Sequence, residues 1–164
     1  MDLVRTSIPY EFLRPLARLT WREVLFGLEQ QLLDERAPVD MGVERLMEEE
    51  NPSLELVELA GIVGNHDIRP LVKALSGREP EQPTDAIGQK WLYLVLAWFF
   101  DRKDDHPDAL QAVEEVYADF GYPEAVVGFV RYMPSVDPDL GRQGNEARLL
   151  ERWKMYLDRE SERY

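Results

Sequence analysis

Thr84-Asp-Ala-Ile-Gly-Gln-Lys-Trp-Leu-Tyr-Leu-Val-Leu-Ala-Trp-Phe-Phe-Asp101 is the stretch that decides the fold. Thr84 stands where a helix N-cap belongs. Ile87, Trp91, Leu94, Val95 and Trp98 then line one side of a 3.6-residue spiral, while Leu92, Leu96 and Phe99 occupy another. A helix that is apolar on two sides has other helices around it. Its uncharged run, Trp91 to Phe100, is about half the length of a membrane span and reads as a buried helix. The charged run Asp101-Arg-Lys-Asp-Asp105 ends it.

Helical periodicity continues on both sides of this segment, and strand-type alternation is almost absent. A short helix is expected around Tyr10 to Leu19, with Pro15 tolerable only near its first turn or at a kink. Thr20-x-x-Glu23 has capping-box spacing, and Trp21, Val24, Leu25, Leu28 and Leu32 follow on one face. Pro38 opens a helix carrying Val39, Val43, Leu46 and Met47, which ends in Glu48-Glu49-Glu50. Asn51-Pro52-Ser53 stops and restarts the chain before a stripe of Leu56, Leu59, Ala60 and Val63. Asp67 is placed to cap a helix with Leu71, Val72 and Leu75, and Gly77 to Pro83 reads as the segment most open to movement. Pro107 suits a helix N1 position with Asp108 in the first turn, ahead of Leu110, Val113, Val116, Tyr117 and Phe120. Gly121 suits a C′ position, and Pro123 starts a helix to about Phe129 or Val130. After a loop from Met133 to Asn145, Asn145 can cap a last helix. Its Leu149, Leu150, Trp153, Tyr156 and Leu157 face inward, and Arg148, Arg152 and Arg159 form an exposed basic stripe. The expectation is an all-α fold: one domain over residues 1–164, of roughly eight short helices in an orthogonal or solenoid-like array.

The net charge is −13, from 32 acids against 19 bases. Such a field repels nucleic-acid phosphates and anionic membrane surfaces and attracts cationic partners. No cysteine is present, which removes disulfides, thiolate nucleophiles and cysteine metal sites and fits a cytoplasmic protein. Met1 to Pro9 lacks the basic start and apolar core of a secretory leader.

The sequence presents no catalytic or cofactor motif. There is no Gly-x-Ser-x-Gly elbow, phosphate-binding loop or dinucleotide fingerprint. Ser53, Ser76 and Ser135 stand at caps and turns. His66-Asp67 and the run Asp101 to Asp108, with His106, contain oxygen and nitrogen ligands, but the spacing of a calcium loop is missing. No cofactor is expected. Three function classes stay open: a protein-binding domain, a helical adaptor, or a metal-assisted hydrolase built on those acidic and histidine residues.

Tyr117-Ala-Asp-Phe-Gly-Tyr-Pro123 and Phe129-Val-Arg-Tyr-Met-Pro134 are denser in aromatics and prolines than a helical turn requires. Tyr117, Phe120 and Phe129 read as core. Asp119, Tyr122, Arg131, Tyr132 and Met133 stand between two roles: an internal clasp joining helices, with Asp119 pairing with Arg131 or capping the helix at Pro123, or an exposed anchor patch. Together with Leu19-Thr-Trp21-Arg-Glu, Gly27-Leu28 and Lys90-Trp91-Leu-Tyr-Leu-Val-Leu, these segments resemble a family of small bacterial proteins catalogued only as a domain of unknown function. The likeness spans about Leu19 to Trp153. Small acidic families of this type are often associated with polymorphic toxin systems as immunity proteins. The resemblance therefore implies a non-catalytic inhibitor of a cationic toxin domain. Candidate contacts are Glu48, Glu49, Glu50, Asp104, Asp105, Asp119, Tyr122, Arg131 and Tyr132.

Overall fold

The computed structural model describes residues 6–164. The reading of Met1 to Arg5 as part of a leaderless start therefore lies outside the described residues. Within them the protein is all-α, with one isolated parallel bridge between Ile8 and Leu33. The elements are α1 (Tyr10–Leu13), α2 (Trp21–Glu29), α3 (Ala37–Glu48), α4 (Leu54–Ala60), α5 (Arg69–Gly77), α6 (Thr84–Asp101), α7 (Ala109–Asp119), a 3-10 helix (Glu124–Phe129) and α8 (Gly141–Ser161). Among the described residues, no helix is long and apolar enough to cross a membrane. Contacts gather the chain into two compact units, one ending at Trp91 and the other running from Leu92 to Tyr164.

In the first unit, α3 packs on α1 and α4, and α5 packs on α2 and α4. The capping box of α2 forms: the Thr20 hydroxyl accepts from the Glu23 amide at 3.2 Å, and the Glu23 carboxylate accepts from the Thr20 amide at 2.8 Å. The same carboxylate, buried, takes Lys90 Nζ at 2.9 Å, and Trp91 Nε1 donates to the Glu23 carbonyl at 2.8 Å. The Trp91 ring lies directly over Gly27, where a Cβ would strike it. Leu19 to Leu28 and Lys90-Trp91 are thus two halves of one joint.

Several helix ends and faces differ from the sequence reading. Pro15, which has no amide proton, confines α1 to Tyr10–Leu13, and the chain leaves it as a turn. α2 stops at Glu29: Leu32 N bonds Gly27 O at 2.8 Å and Gln31 N bonds Leu28 O at 3.2 Å, a Schellman end with Gln31 at φ 58°. Leu32 is still buried, but from beyond the helix. On α3 the inward face holds Val39, Met41, Gly42 and Arg45, so Val43 and Met47 point to solvent. Arg45 takes the inner place because its guanidinium donates to the Leu19 carbonyl at 2.7 Å. α4 ends at Ala60, which leaves Val63 exposed.

Gly77 to Pro83 is fastened. The Glu79 carboxylate accepts the Trp21 and Arg22 amides at 3.0 and 2.9 Å, an anion at the positive end of α2. Thr20 Oγ1 donates to Gln82 Oε1 at 2.6 Å.

In the second unit, Trp153 of α8 is fully buried. The Phe100 ring meets it edge-on at 5.1 Å and Phe129 lies parallel to it at 6.3 Å. Full burial of a side chain such as Phe129 stabilises by on the order of 2–3 kcal/mol. Asp108 is the N-cap of α7 rather than a first-turn residue, because its carboxylate accepts the Gln111 amide at 3.2 Å. α7 ends in a second Schellman motif: Tyr122 N bonds Tyr117 O at 2.8 Å and Gly121 N bonds Ala118 O at 3.2 Å, with Gly121 at φ 78°. The segment after Pro123 is a 3-10 helix, Glu124–Phe129, carrying the β-branched pair Val126-Val127. α8 begins at Gly141, so Asn145 lies inside it and caps backward, its Oδ1 accepting from Leu140 N at 3.0 Å.

Candidate partner-binding site

The aromatic segments identified in the sequence lie in the second unit. Tyr122 is 65% exposed and also takes part in the end of α7. It follows the left-handed Gly121, itself adopts φ 59°, and sets its ring edge-on against Tyr117 at 5.2 Å. That is the apolar contact that accompanies a Schellman end. Asp119 is the last residue of α7.

Arg131 is the hub, and its partners differ from those expected. Its guanidinium forks onto Asp108 at 2.8 and 3.1 Å, and its Nε donates to Glu114 at 2.9 Å. The sequence places Asp108 in a first turn and in an acidic run of possible metal ligands, and does not single out Glu114. As N-cap, Asp108 presents its carboxylate beside α7 where a planar fork from Arg131 reaches it. Arg131 holds the Asp108 carboxyl below the ordinary aspartate range, and the paired carboxylates raise the guanidinium further. The bond also joins the base of the acidic turn, which carries the exposed Asp104 and Asp105, to the start of the 131–140 segment.

The chain then enters a loop whose next residue, Tyr132, is left-handed at φ 68° and 85% exposed. Its ring stays 5.1 Å from the Arg131 guanidinium carbon. Along the same loop Val136 and Leu140 are also exposed, at 105% and 57%. Polar contacts tie the loop down from below. Asp137 accepts from Ser135 Oγ at 2.7 Å and pairs with Arg152 at 2.8 Å. Arg148 donates to the Pro138 carbonyl at 3.0 Å, and Asp139 accepts from Gly141 N and Asn145 Nδ2, both at 2.9 Å. Arg152, helped by Ser135, pulls the Asp137 carboxyl down to about 2, and the Gly141 amide lowers Asp139. Arg148 and Arg152 are therefore tethers, not a free basic stripe. The signals for this were Ser135-x-Asp137 and Asp139-x-Gly141, local side-chain turns, together with the i, i+4 spacing of the two arginines.

Beneath the loop a cleft of about 450 Å³ opens toward α8, floored by Val130, Met133, Pro134 and Leu149 and edged by Arg142. Met133 thus faces this cleft.

The remaining candidates lie in the other unit. Glu48 is gripped by Arg18, both guanidinium nitrogens reaching its carboxylate, at 2.7 and 3.4 Å, and this lowers its pKa. Glu49 and Glu50 are exposed. Among the described residues, no group of three or more His, Asp or Glu side chains is placed to hold a metal ion. His106 sets its ring edge-on to Phe99 at 6.4 Å, and its Nδ1 accepts from the Asp108 amide at 3.0 Å.

No curated protein and no solved structure matches the chain. Residues 10–161 match a family described as uncharacterized protein conserved in bacteria (DUF2247). With nearly its whole length matched, the chain belongs to that family.

Proposed function

We propose that this protein is a non-catalytic binding module, an inhibitor of immunity type that docks a cationic toxin domain in the cytoplasm. The observation that carries the reading is the display of Tyr132, Val136 and Leu140 on one tethered loop. Single exposed apolar residues are common on protein surfaces; three on ten residues of clasped loop are a different matter. A loop already held in place loses little freedom when it binds, and an exposed tyrosine is a typical interface anchor. The left-handed Tyr132 adds backbone strain of the kind that functional segments retain. The charge of −13 supports a basic partner through encounter rate. The exposed acids Asp104, Asp105, Glu49 and Glu50 carry that attraction, while Glu48 is already neutralised by Arg18.

The test is affinity capture from a bacterium that makes the protein, with wild type and a Tyr132→Ser/Val136→Ser/Leu140→Ser variant, at low and moderate salt. A basic domain recovered by wild type, lost by the variant and weakened by salt supports the reading. Recovery of the same proteins by both refutes the assigned surface.

A further inference from the structure

α3 is apolar on two faces, and only one is used. Its inner side packs through Val39, Met41 and Gly42, with Gly42 against Leu59. On the outer side Val43 and Met47 stand one turn apart, Met47 84% exposed. They border an open groove of about 790 Å³ whose opposite wall is Tyr10 and Pro15, at α1 and the turn that follows it. Acids flank it. Asp40, Glu44 and Glu48 recur every fourth residue along α3, and Glu11 lies across from them. Arg14 neutralises Glu44 at 2.7 Å and Arg18 neutralises Glu48 at 2.7 Å. The Asp40 and Glu11 carboxylates, both on exposed residues, have no ion pair or hydrogen bond among the described residues.

We propose that this groove between α1 and α3 docks a basic amphipathic helix of a partner protein. The apolar ridge of Val43 and Met47 is spaced to receive the ridge of another helix, and methionine adapts its shape to what it meets. The unpaired carboxylates choose the sign of the incoming charge: lysine or arginine beside the apolar stripe finds Asp40 and Glu11, whereas an acidic helix meets repulsion. The surface is made of residues distinct from the 131–140 loop and does not depend on that loop's role.

The probe is a helical Leu/Lys peptide of about 15 residues, compared with a Leu/Glu peptide of the same pattern, and binding is followed by amide NMR shifts on the full chain. The Leu/Lys peptide is expected to shift amides of Tyr10–Leu13 and of Asp40 to Met47, and the Leu/Glu peptide to leave them unmoved. Met47→Glu is the decisive variant. It adds negative charge, which would strengthen unspecific attraction, yet it removes the apolar ridge and should weaken binding by about tenfold or more. Met47 is exposed, so the variant should keep the wild-type melting curve. The proposal is overturned by shifts scattered over the acidic surface, by equal or tighter binding to Met47→Glu, by equal binding of the Leu/Glu peptide, or by no binding at all. The Tyr132/Val136/Leu140 variant should bind the peptide as wild type does, which separates failure here from failure of the loop surface.

Discussion

Replacing Arg131 by Met removes three charge-assisted hydrogen bonds, two to Asp108 and one to Glu114, while keeping a side chain of similar length. Each such bond contributes about 1.5–3 kcal/mol when buried. Here the Arg131 side chain is 17% exposed and Asp108 40%, so water screens part of the interaction. A net loss of about 2 kcal/mol follows, a fall of roughly 4–8 °C in melting temperature for a chain of this size. The loss also has a pH signature. Arg131 lowers the Asp108 pKa in the folded state. A depressed carboxylate stabilises the fold above its unfolded pKa, near roughly 4, and that stabilisation disappears as pH falls through the folded value. Urea midpoints for wild type and Arg131→Met should therefore differ by a constant amount from neutral pH down to about 5, then converge below about 4. A double-mutant cycle with Asp108→Asn should return a coupling of about 1 kcal/mol or more. An unchanged midpoint at neutral pH, or a gap that persists undiminished in acid, would refute the clasp.

Two further outcomes are expected. Gly27→Ala drives a Cβ into the Trp91 ring and Leu33 and should destabilise by about 1–3 kcal/mol, read by thermal melting of circular dichroism. Tyr132→Gly relieves a left-handed backbone at φ 68° and should raise stability by about 0.5–1 kcal/mol. In the same capture experiment it should weaken partner recovery, because it also removes the exposed ring.

The segments of the family resemblance divide by role once their contacts are known. The joint of Thr20, Glu23 and Gly27 with Lys90 and Trp91 is structural: a buried carboxylate that caps a helix and holds an ammonium, beside a ring that needs a glycine beneath it. Tyr117 to Pro123 is a helix stop with its ring contact. Phe129 to Pro134 is mixed, since Phe129 and Val130 are buried, Arg131 is a clasp, and Tyr132 is displayed. Phe129 to Pro134 joins buried residues to a ring displayed on a tethered loop, which is why the contact surface is assigned there.

The all-helical class was legible in the sequence because it rests on local signals. The Thr20 capping box, the Ser53 cap, the Gly121 stop and the two-sided apolar pattern of residues 84–101 each depend on neighbours within a few positions. What lies beyond a helix end was not legible. Leu32 and Val63 continue a helical stripe on paper, but hydrogen bonding ends each helix first, burying one residue and exposing the other. Nor could spacing show which face of α3 turns inward. Val43 and Met47 fit the pattern as well as Val39 does, and the choice was made by Arg45 finding the Leu19 carbonyl and by Gly42 admitting Leu59. The candidate site divides in the same way. Arg131 stands out in the sequence, but Asp108 and Glu114, 23 and 17 positions away, become its partners only through packing. Local chemistry sets where helices start and stop; the pairing of charges and the display of Tyr132, Val136 and Leu140 arise only when distant segments share one space.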